Sequence, residues 1–248
     1  MKGPGPSALG FTPERPLAVV GAMPEETEPL LAAAVDVVTE RAGPFGLHRA
    51  RLDRVPVLLA TCGIGKVQSA ALTQAMLERG AAAVLFTGVA GGVDPTLRVG
   101  DLVVATDALQ HDVDVTALGY ARGQVPGHDA VRWPADPDLR DRVAAAAKTV
   151  AAAEGVRWVV GTVASGDRFM ADPADVARLR SEFGAACAEM EGAAVAQVCA
   201  SWGVPWAIVR SISDTADHDA HVDFRAFTQV AAARAVAVVR ATLVDLTR

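Results

Sequence analysis

Cysteine is scarce in this 248-residue chain. The three present, Cys62, Cys187 and Cys199, are odd in number and share no short repeated spacing. Neither a disulfide framework nor a zinc ribbon is expected, and a reducing cytoplasm is the simpler compartment. Basic residues are in deficit, with 23 Lys and Arg against 29 Asp and Glu for a formal charge of -6. Nucleic-acid binders normally carry a basic face, so no such partner is expected. A small anionic ligand is not excluded, because one Arg in a pocket can serve it. Long apolar runs are missing too. Residues 81–93, the most apolar stretch, are interrupted by glycines and fall short of the roughly 20 residues a membrane helix needs. No membrane association is expected. The opening MKGPGPSALGFTPERP has several Pro and Gly and no continuous apolar core. It reads as a loose tail over residues 1–16 ahead of one domain over 17–248, and not as a signal peptide.

What is present is enough apolar material for a substantial core: 51% of the residues are hydrophobic and 21% charged. That balance is not the composition of a disordered chain. Short β-rich runs alternate with helical stretches. Strands are expected over 17–22, 49–53, 56–62, 82–87, 101–109, 156–163, 186–190 and 205–211. Helices are expected over 24–35, 65–79, 138–154, 173–183, 191–202 and 224–246. Pro24 suits a first helical turn, and Glu25 and Glu26 suit the positive end of the helix dipole. Gly88–Gly92 reads as a glycine-rich turn, and 110–134 as a long functional loop. The alternation implies an α/β domain with helices on both faces of a central sheet. Ligands of such sheets bind beyond the carboxyl ends of the strands. Several strands end there in polar or glycine-rich tips.

Most familiar motifs fail on inspection. Gly63-Ile64-Gly65-Lys66 is followed by Val67, where a phosphate loop needs Ser or Thr, and Gln68 stands where a dinucleotide fingerprint needs its third Gly. The cluster Asp214, Asp217, His218, Asp219, His221, Asp223 has neither zincin order nor hard-cation spacing. It reads as a solvated loop, as does His111-Asp112-x-Asp114, and no metal is expected. There is no GxSxG elbow. Carboxylates at strand tips carry more. Glu26 lies in the first turn of a helix just after an apolar strand, Glu191 at a strand-to-helix junction, and Asp214 at the end of a mostly apolar strand. Any one alone could be a helix-terminal or loop carboxylate. Three converging would suit an acid, a base and a hydroxyl acceptor around one sugar.

The stretches VGAMPEE (20–26), CGIGKV (62–67), TGVAGG (87–92), VGDLVV (99–104), HDVDVTALGY (111–120), SGDRFM (165–170), EMEGAAVA (189–196) and VRSISDTAD (209–217) occur in this order across nearly the whole chain after the tail. Together they resemble the 5'-methylthioadenosine/S-adenosylhomocysteine nucleosidases of the purine nucleoside phosphorylase/uridine phosphorylase superfamily. The resemblance implies a single-domain three-layer α/β/α sandwich around a mixed, twisted sheet. It implies hydrolysis of the N-glycosidic bond of adenine thionucleosides without cofactor or metal. Asp214 then matches the acid that protonates purine N7, which requires a proton held near neutral pH, and Glu26 the carboxylate that activates water. Arg210 and Ser213 match residues that orient them. Glu189, Met190 and Glu191 match the ribose-binding stretch, and Val89 and Gly91 the turn beside it. Phe169 matches the aromatic that stacks on adenine, and Met170 the position that reads the purine edge. Met23, Ile64 and Phe224 match apolar walls. Val115 and Leu118 match the loop that reaches a neighbouring subunit's site, which implies a homodimer.

Departures bear on the reaction. Phosphorylases that the chain resembles have Arg where this sequence has Phe86, and well-known nucleosidases have Ser where it has Val89. Both favour water over phosphate as the nucleophile, although Arg210 remains as a cation for an anion. Leu118 and Met170 replace larger or branched residues, so the alkylthio pocket can differ in width. A futalosine or aminofutalosine hydrolase, a phosphate-dependent phosphorylase and a non-catalytic nucleoside binder are the alternatives.

Overall fold

The computed structural model describes residues 10–215 and 220–247. Along them run β1 (Leu17–Gly21), α1 (Pro24–Ala33), β2 (Val35–Ala42), β3 (Phe45–Leu52), β4 (Val55–Thr61), α2 (Lys66–Glu78), β5 (Ala83–Gly92) and β6 (Leu102–Gln110). Then follow β7 (Arg132–Pro134), α3 (Pro137–Glu154), β8 (Trp158–Ser165), α4 (Pro173–Phe183), β9 (Ala185–Glu189), α5 (Gly192–Trp202), β10 (Trp206–Asp214) and α6 (Ala220–Leu246). Alternate residues of β1 point to opposite faces, as strand geometry requires. Ala18 and Val20 join a core with Leu72 and Met76 of α2 and Val195 and Cys199 of α5. Leu17 and Val19 join a second core with Leu30 of α1, Leu139 and Val143 of α3 and Val239 and Leu243 of α6. The molecule is thus an α/β/α sandwich about a mixed sheet.

β5 is the strand at which that sheet splits. Residues 83–86 pair in parallel with β1 on one edge, whereas Gly91 and Gly92 on the same edge pair antiparallel with β9. The other edge pairs with β10 from Val84 to Gly91. β10, β6, β8, β9 and β5 therefore close into a five-strand ring, and β1, β4, β3 and β2 extend from β5 as an open wing. Between Phe86 and Gly91 the ends of β1 and β9 diverge. A crevice at such a split is where α/β sheets place ligands.

Beyond an earlier start to β3 and α6 than expected and the short β7 inside the expected loop 110–134, three expectations change. The first helix stops at Ala33 instead of reaching Val35, which opens β2; that strand lies at the sheet edge, and its exposed side chains give it no alternating pattern to read. Gly88–Gly92 is not a turn but the second half of β5, held by β10 and β9. The most apolar long segment is in α6, where Ala226–Leu246 has the length and composition to cross a membrane. Half of that window is buried, and Ala232, Ala235, Val238 and Val239 pack inside the fold as a core helix does. The turn at Asp53-Arg54 stands. Both residues have positive φ, 48° and 72°, as a two-residue hairpin loop demands.

Candidate active site

A cavity of about 310 Å³ opens at the split. Its lining includes Met23, Glu26, Ile64, Val89, Gly91, Phe169, Met170, Glu189, Met190, Glu191, Ser213, Asp214 and Phe224. Residues from seven separate segments, which the sequence assigns to one site, therefore share one cavity. Glu26 and Asp214 are on the same wall system and not in separate crevices.

Glu26 owes its place to both local and long-range structure. It is the third residue of α1, and its Oε2 accepts from the N–H groups of Met23 (2.9 Å) and Ala22 (2.6 Å). That is the backward half of a capping box. Its Oε1 accepts from Val89 N–H at 3.0 Å, on the edge of β5 where β1 has ended. The carboxylate thus takes the place of the missing strand. Burial raises its pKa, while Arg210 and the three backbone N–H groups oppose the shift. The backbone comes this close only because of two glycines. A Cβ on Gly21 would lie 2.8 Å from Glu26 Cβ, and one on Gly88 would lie 2.2 Å from Arg210 Nη1 and 2.5 Å from Glu26 Oε1. Gly88→Ala is accordingly expected to displace both charged groups. Overpacking of this kind costs about 1–3 kcal/mol, so thermal unfolding should show lower stability together with at least a tenfold loss of turnover. Wild-type turnover in the folded variant would contradict this geometry.

Arg210 lies beneath the floor and does not line the cavity. It is fully buried on β10, its Nη1 donates to Thr87 O (3.3 Å), and its Nη2 binds Glu189 and approaches Glu191 Oε2 at 3.7 Å. The guanidinium stacks on the Phe86 ring, 4.2 Å from its centroid. Burial opposes its charge, and Glu189, Glu191 and Glu26 more than offset that, raising its pKa. The expectation that Arg210 stays open to an anion is therefore corrected: internal acceptors hold its terminal nitrogens. Phe86 is thus the aromatic face on which this cation rests.

Glu189 is equally engaged. It accepts from Ser165 Oγ, from Arg210, and from the N–H groups of Gly192 (2.8 Å) and Glu191 (3.3 Å) at the start of α5. Ser165 Oγ in turn accepts from Ala193 N–H at 2.7 Å. Glu191 differs. Its Oε1 accepts from Gly65 N–H at 2.8 Å. Burial, together with the Glu189 charge, pushes its carboxyl up to about 8 despite Arg210. It is the carboxyl of this pair with capacity left for a ligand.

Asp214 ends β10, buried, and accepts from Ser213 Oγ at 2.8 Å. Phe169 and Phe224 meet edge to face, with centroids 5.7 Å apart. Val89 packs with Met23, Phe224, Ala231 and Ala232 as an apolar wall. Val115 and Leu118 do not reach this cavity. They flank or belong to a single 3-10 turn at Thr116–Leu118, and Leu118 is 75% exposed.

Four further lining residues, Ala22, Ala90, Arg168 and Ala188, were not singled out. The alanines carry no chemical signal, whereas Arg168 stands inside SGDRFM. No group of three or more metal-ligating side chains occurs among the described residues. Asp112 pairs with Lys66 (2.7 Å), and Asp114 with Thr116 and Arg122. Asp217, His218 and Asp219 lie outside the described residues, as do the side chains of His221 and Asp223.

Residues 16–244 match the family described as the phosphorylase superfamily. The chain is 42% identical over 228 residues to the 5'-methylthioadenosine/S-adenosylhomocysteine nucleosidase of Geobacillus thermodenitrificans, a match spanning 91% of this chain and 95% of the relative. The corresponding Neisseria meningitidis nucleosidase, solved in complex with methylthio-immucillin-A, is similar with a TM-score of 0.87 and 38% identity, over 92% and 98% of the two chains. The futalosine hydrolase of Helicobacter pylori is similar with a TM-score of 0.86 and 35% identity, over 94% and 98%. Identity at this level over nearly the full length of both chains goes beyond a common fold: the chain belongs to the 5'-methylthioadenosine/S-adenosylhomocysteine nucleosidase family of the phosphorylase superfamily.

Proposed function

We propose that this protein hydrolyses the N-glycosidic bond of 5'-methylthioadenosine and S-adenosylhomocysteine, releasing adenine and the thioribose product. Cleavage builds positive charge on the ribose and negative charge on the purine. Carboxylates around the sugar stabilise the first, and a carboxylic acid at the base neutralises the second. Asp214, oriented by Ser213, donates to N7. Glu26 takes the proton of the attacking water, and Glu191 binds the ribose hydroxyls. Phe169 stacks on adenine, Met170 reads the purine edge through its backbone, and Met23, Ile64 and Phe224 bound the sugar and alkylthio group. Arg210 acts from below, as a counter-charge that keeps Glu189 and Glu191 in place.

The observation that carries hydrolysis over phosphorolysis is the charge of the cavity. Glu26, Glu189, Glu191 and Asp214 line it, whereas Arg168 is the one lining cation among the described residues and already pairs with Asp175 at 2.7 Å. A phosphate dianion entering beside these carboxyl groups finds no free cation to hold it, because Arg210 beneath the floor already binds Glu189 and approaches Glu191. Adenine release from methylthioadenosine is expected to run at the same rate with and without inorganic phosphate. Strict phosphate dependence, with a thioribose 1-phosphate product, would overturn the assignment. Saturable binding without adenine release would favour a nucleoside-binding protein, and preferential turnover of aminofutalosine the related hydrolase.

The catalytic unit in this reading covers residues 17–248. It works as a homodimer in which Val115 and Leu118 of each chain complete the other's alkylthio pocket. The exposed Leu118 supports that arrangement. A cytoplasmic setting fits the three buried, unpaired cysteines.

A further inference from the structure

The cavity has an electrostatic gradient from floor to mouth. Its buried lining carries the carboxyl groups of Glu26, Glu189, Glu191 and Asp214. Its exposed lining among the described residues is Ile64, Arg168 and Phe169. Arg168 has a side chain 60% exposed, and its Nη2 donates to Asp175 Oδ2 at 2.7 Å. Asp175 Oδ1 is held in turn by Arg178 at 3.2 Å, with Arg178 also 3.8 Å from Glu182. One guanidinium N–H is therefore used to fix the group at the rim. Of the five that arginine carries, the others remain for a planar acceptor.

We infer that Arg168 is a specificity-determining residue that recognises a carboxylate on the 5' substituent of the nucleoside. The inference rests on the nucleosidase reading of this site. The reacting bond has to lie against Glu26 and Asp214 at the floor. A carboxylate-bearing tail finds no free cation among the buried carboxyl groups of the floor, so it leaves through the mouth, where Arg168 is the lining cation among the described residues. A methylthio group carries no charge and gains nothing from Arg168. An amino-acid tail, or any 5' extension ending in a carboxylate, gains a charge-assisted contact. Exposure to water keeps that gain modest, about two- to fivefold in affinity.

The test compares S-adenosylhomocysteine with its carboxamide, which keeps the ammonium and the shape but loses the negative charge, with methylthioadenosine as reference. The unsubstituted chain should show about two- to fivefold higher kcat/KM for the acid than for the amide, carried by KM and shrinking as salt rises. Arg168→Gln should abolish that preference, and Arg168→Lys should restore part of it. The difference between substrates in each variant removes any general effect of the substitution on folding or on Phe169. An acid preference that survives Arg168→Gln, or no preference in the unsubstituted chain, overturns the inference while leaving the nucleosidase reading intact. Absence of adenine release from methylthioadenosine by the unsubstituted chain overturns the nucleosidase reading itself, and this inference with it.

Discussion

Asp214→Asn is expected to lower kcat for adenine release from methylthioadenosine by about 10²–10⁴-fold, with KM little changed. The asparagine keeps the size of the side chain and can still accept from Ser213 Oγ, which lies 2.8 Å from the carboxylate. What it loses is the proton for N7. Without that proton the purine has to depart as an anion, into a cavity already lined by Glu26, Glu189 and Glu191. The barrier rises in the chemical step while the binding contacts remain. Single-turnover kinetics should place the whole loss there. Near-normal turnover by Asp214→Asn would remove Asp214 from the mechanism.

Glu26→Gln should be at least as damaging, for a different reason. Three backbone N–H groups, those of Ala22, Met23 and Val89, point at the two carboxylate oxygens. An amide offers one oxygen and one donor, so at least one N–H meets an NH₂ group. A buried donor left without an acceptor costs about 1–3 kcal/mol, and the buried Arg210 loses part of its counter-charge. Turnover should fall by about 10²–10⁴-fold, and the unfolding temperature should drop as well, which distinguishes this variant from Asp214→Asn.

The same residue sets a pH dependence. Water activation needs Glu26 ionised, and burial raises its pKa above the usual 4.5. The acid limb of kcat/KM should therefore lie above the ordinary carboxylate range, and Glu26→Gln should erase it. Stability should move the other way. A carboxyl whose folded-state pKa is raised contributes stability that is fully present below its unfolded pKa and is lost as pH rises through the folded one. Glu191, pushed from 4.5 to about 8, acts with the same sign. Thermal stability should therefore decline between about pH 4.5 and 8, with a shallower decline in Glu191→Gln. A stability rise across that window would contradict the buried carboxyl assignments.

Much of this was legible in the sequence, because the informative residues sit where local rules bring them. Glu26 reads as a first-turn carboxylate after an apolar strand, and it does cap its helix; the same oxygens also face the cavity. Asp214 ends β10 and Glu189 ends β9, with Glu191 two residues on, so each reads as a strand-tip carboxylate; the two tips meet on opposite edges of β5 because β10 runs parallel to it and β9 antiparallel. The glycines at 21 and 88 are visible, but the reason for them is not. They make room for a side chain that replaces a strand, and that depends on β5 exchanging β1 for β9. Pairing between strands remote in sequence has no local signature. For the same reason Phe86 read as the loss of a cation, and its stacking on Arg210 became visible only when β5 and β10 were seen side by side. β2 was missed because an edge strand with exposed side chains has no hydrophobic period to detect.

The central claim is a division of labour, with a proton supplied to the leaving base by Asp214 and water activated by Glu26 in one cavity. The most direct measurement is turnover of a 5-methylthioriboside whose leaving group is stable as an anion and needs no proton. Asp214→Asn should hydrolyse it at close to the unsubstituted rate, while Glu26→Gln stays slow on it and on methylthioadenosine alike. If Asp214→Asn is as slow on the activated riboside as on the adenine nucleoside, Asp214 does not act as the acid and the division of labour is wrong.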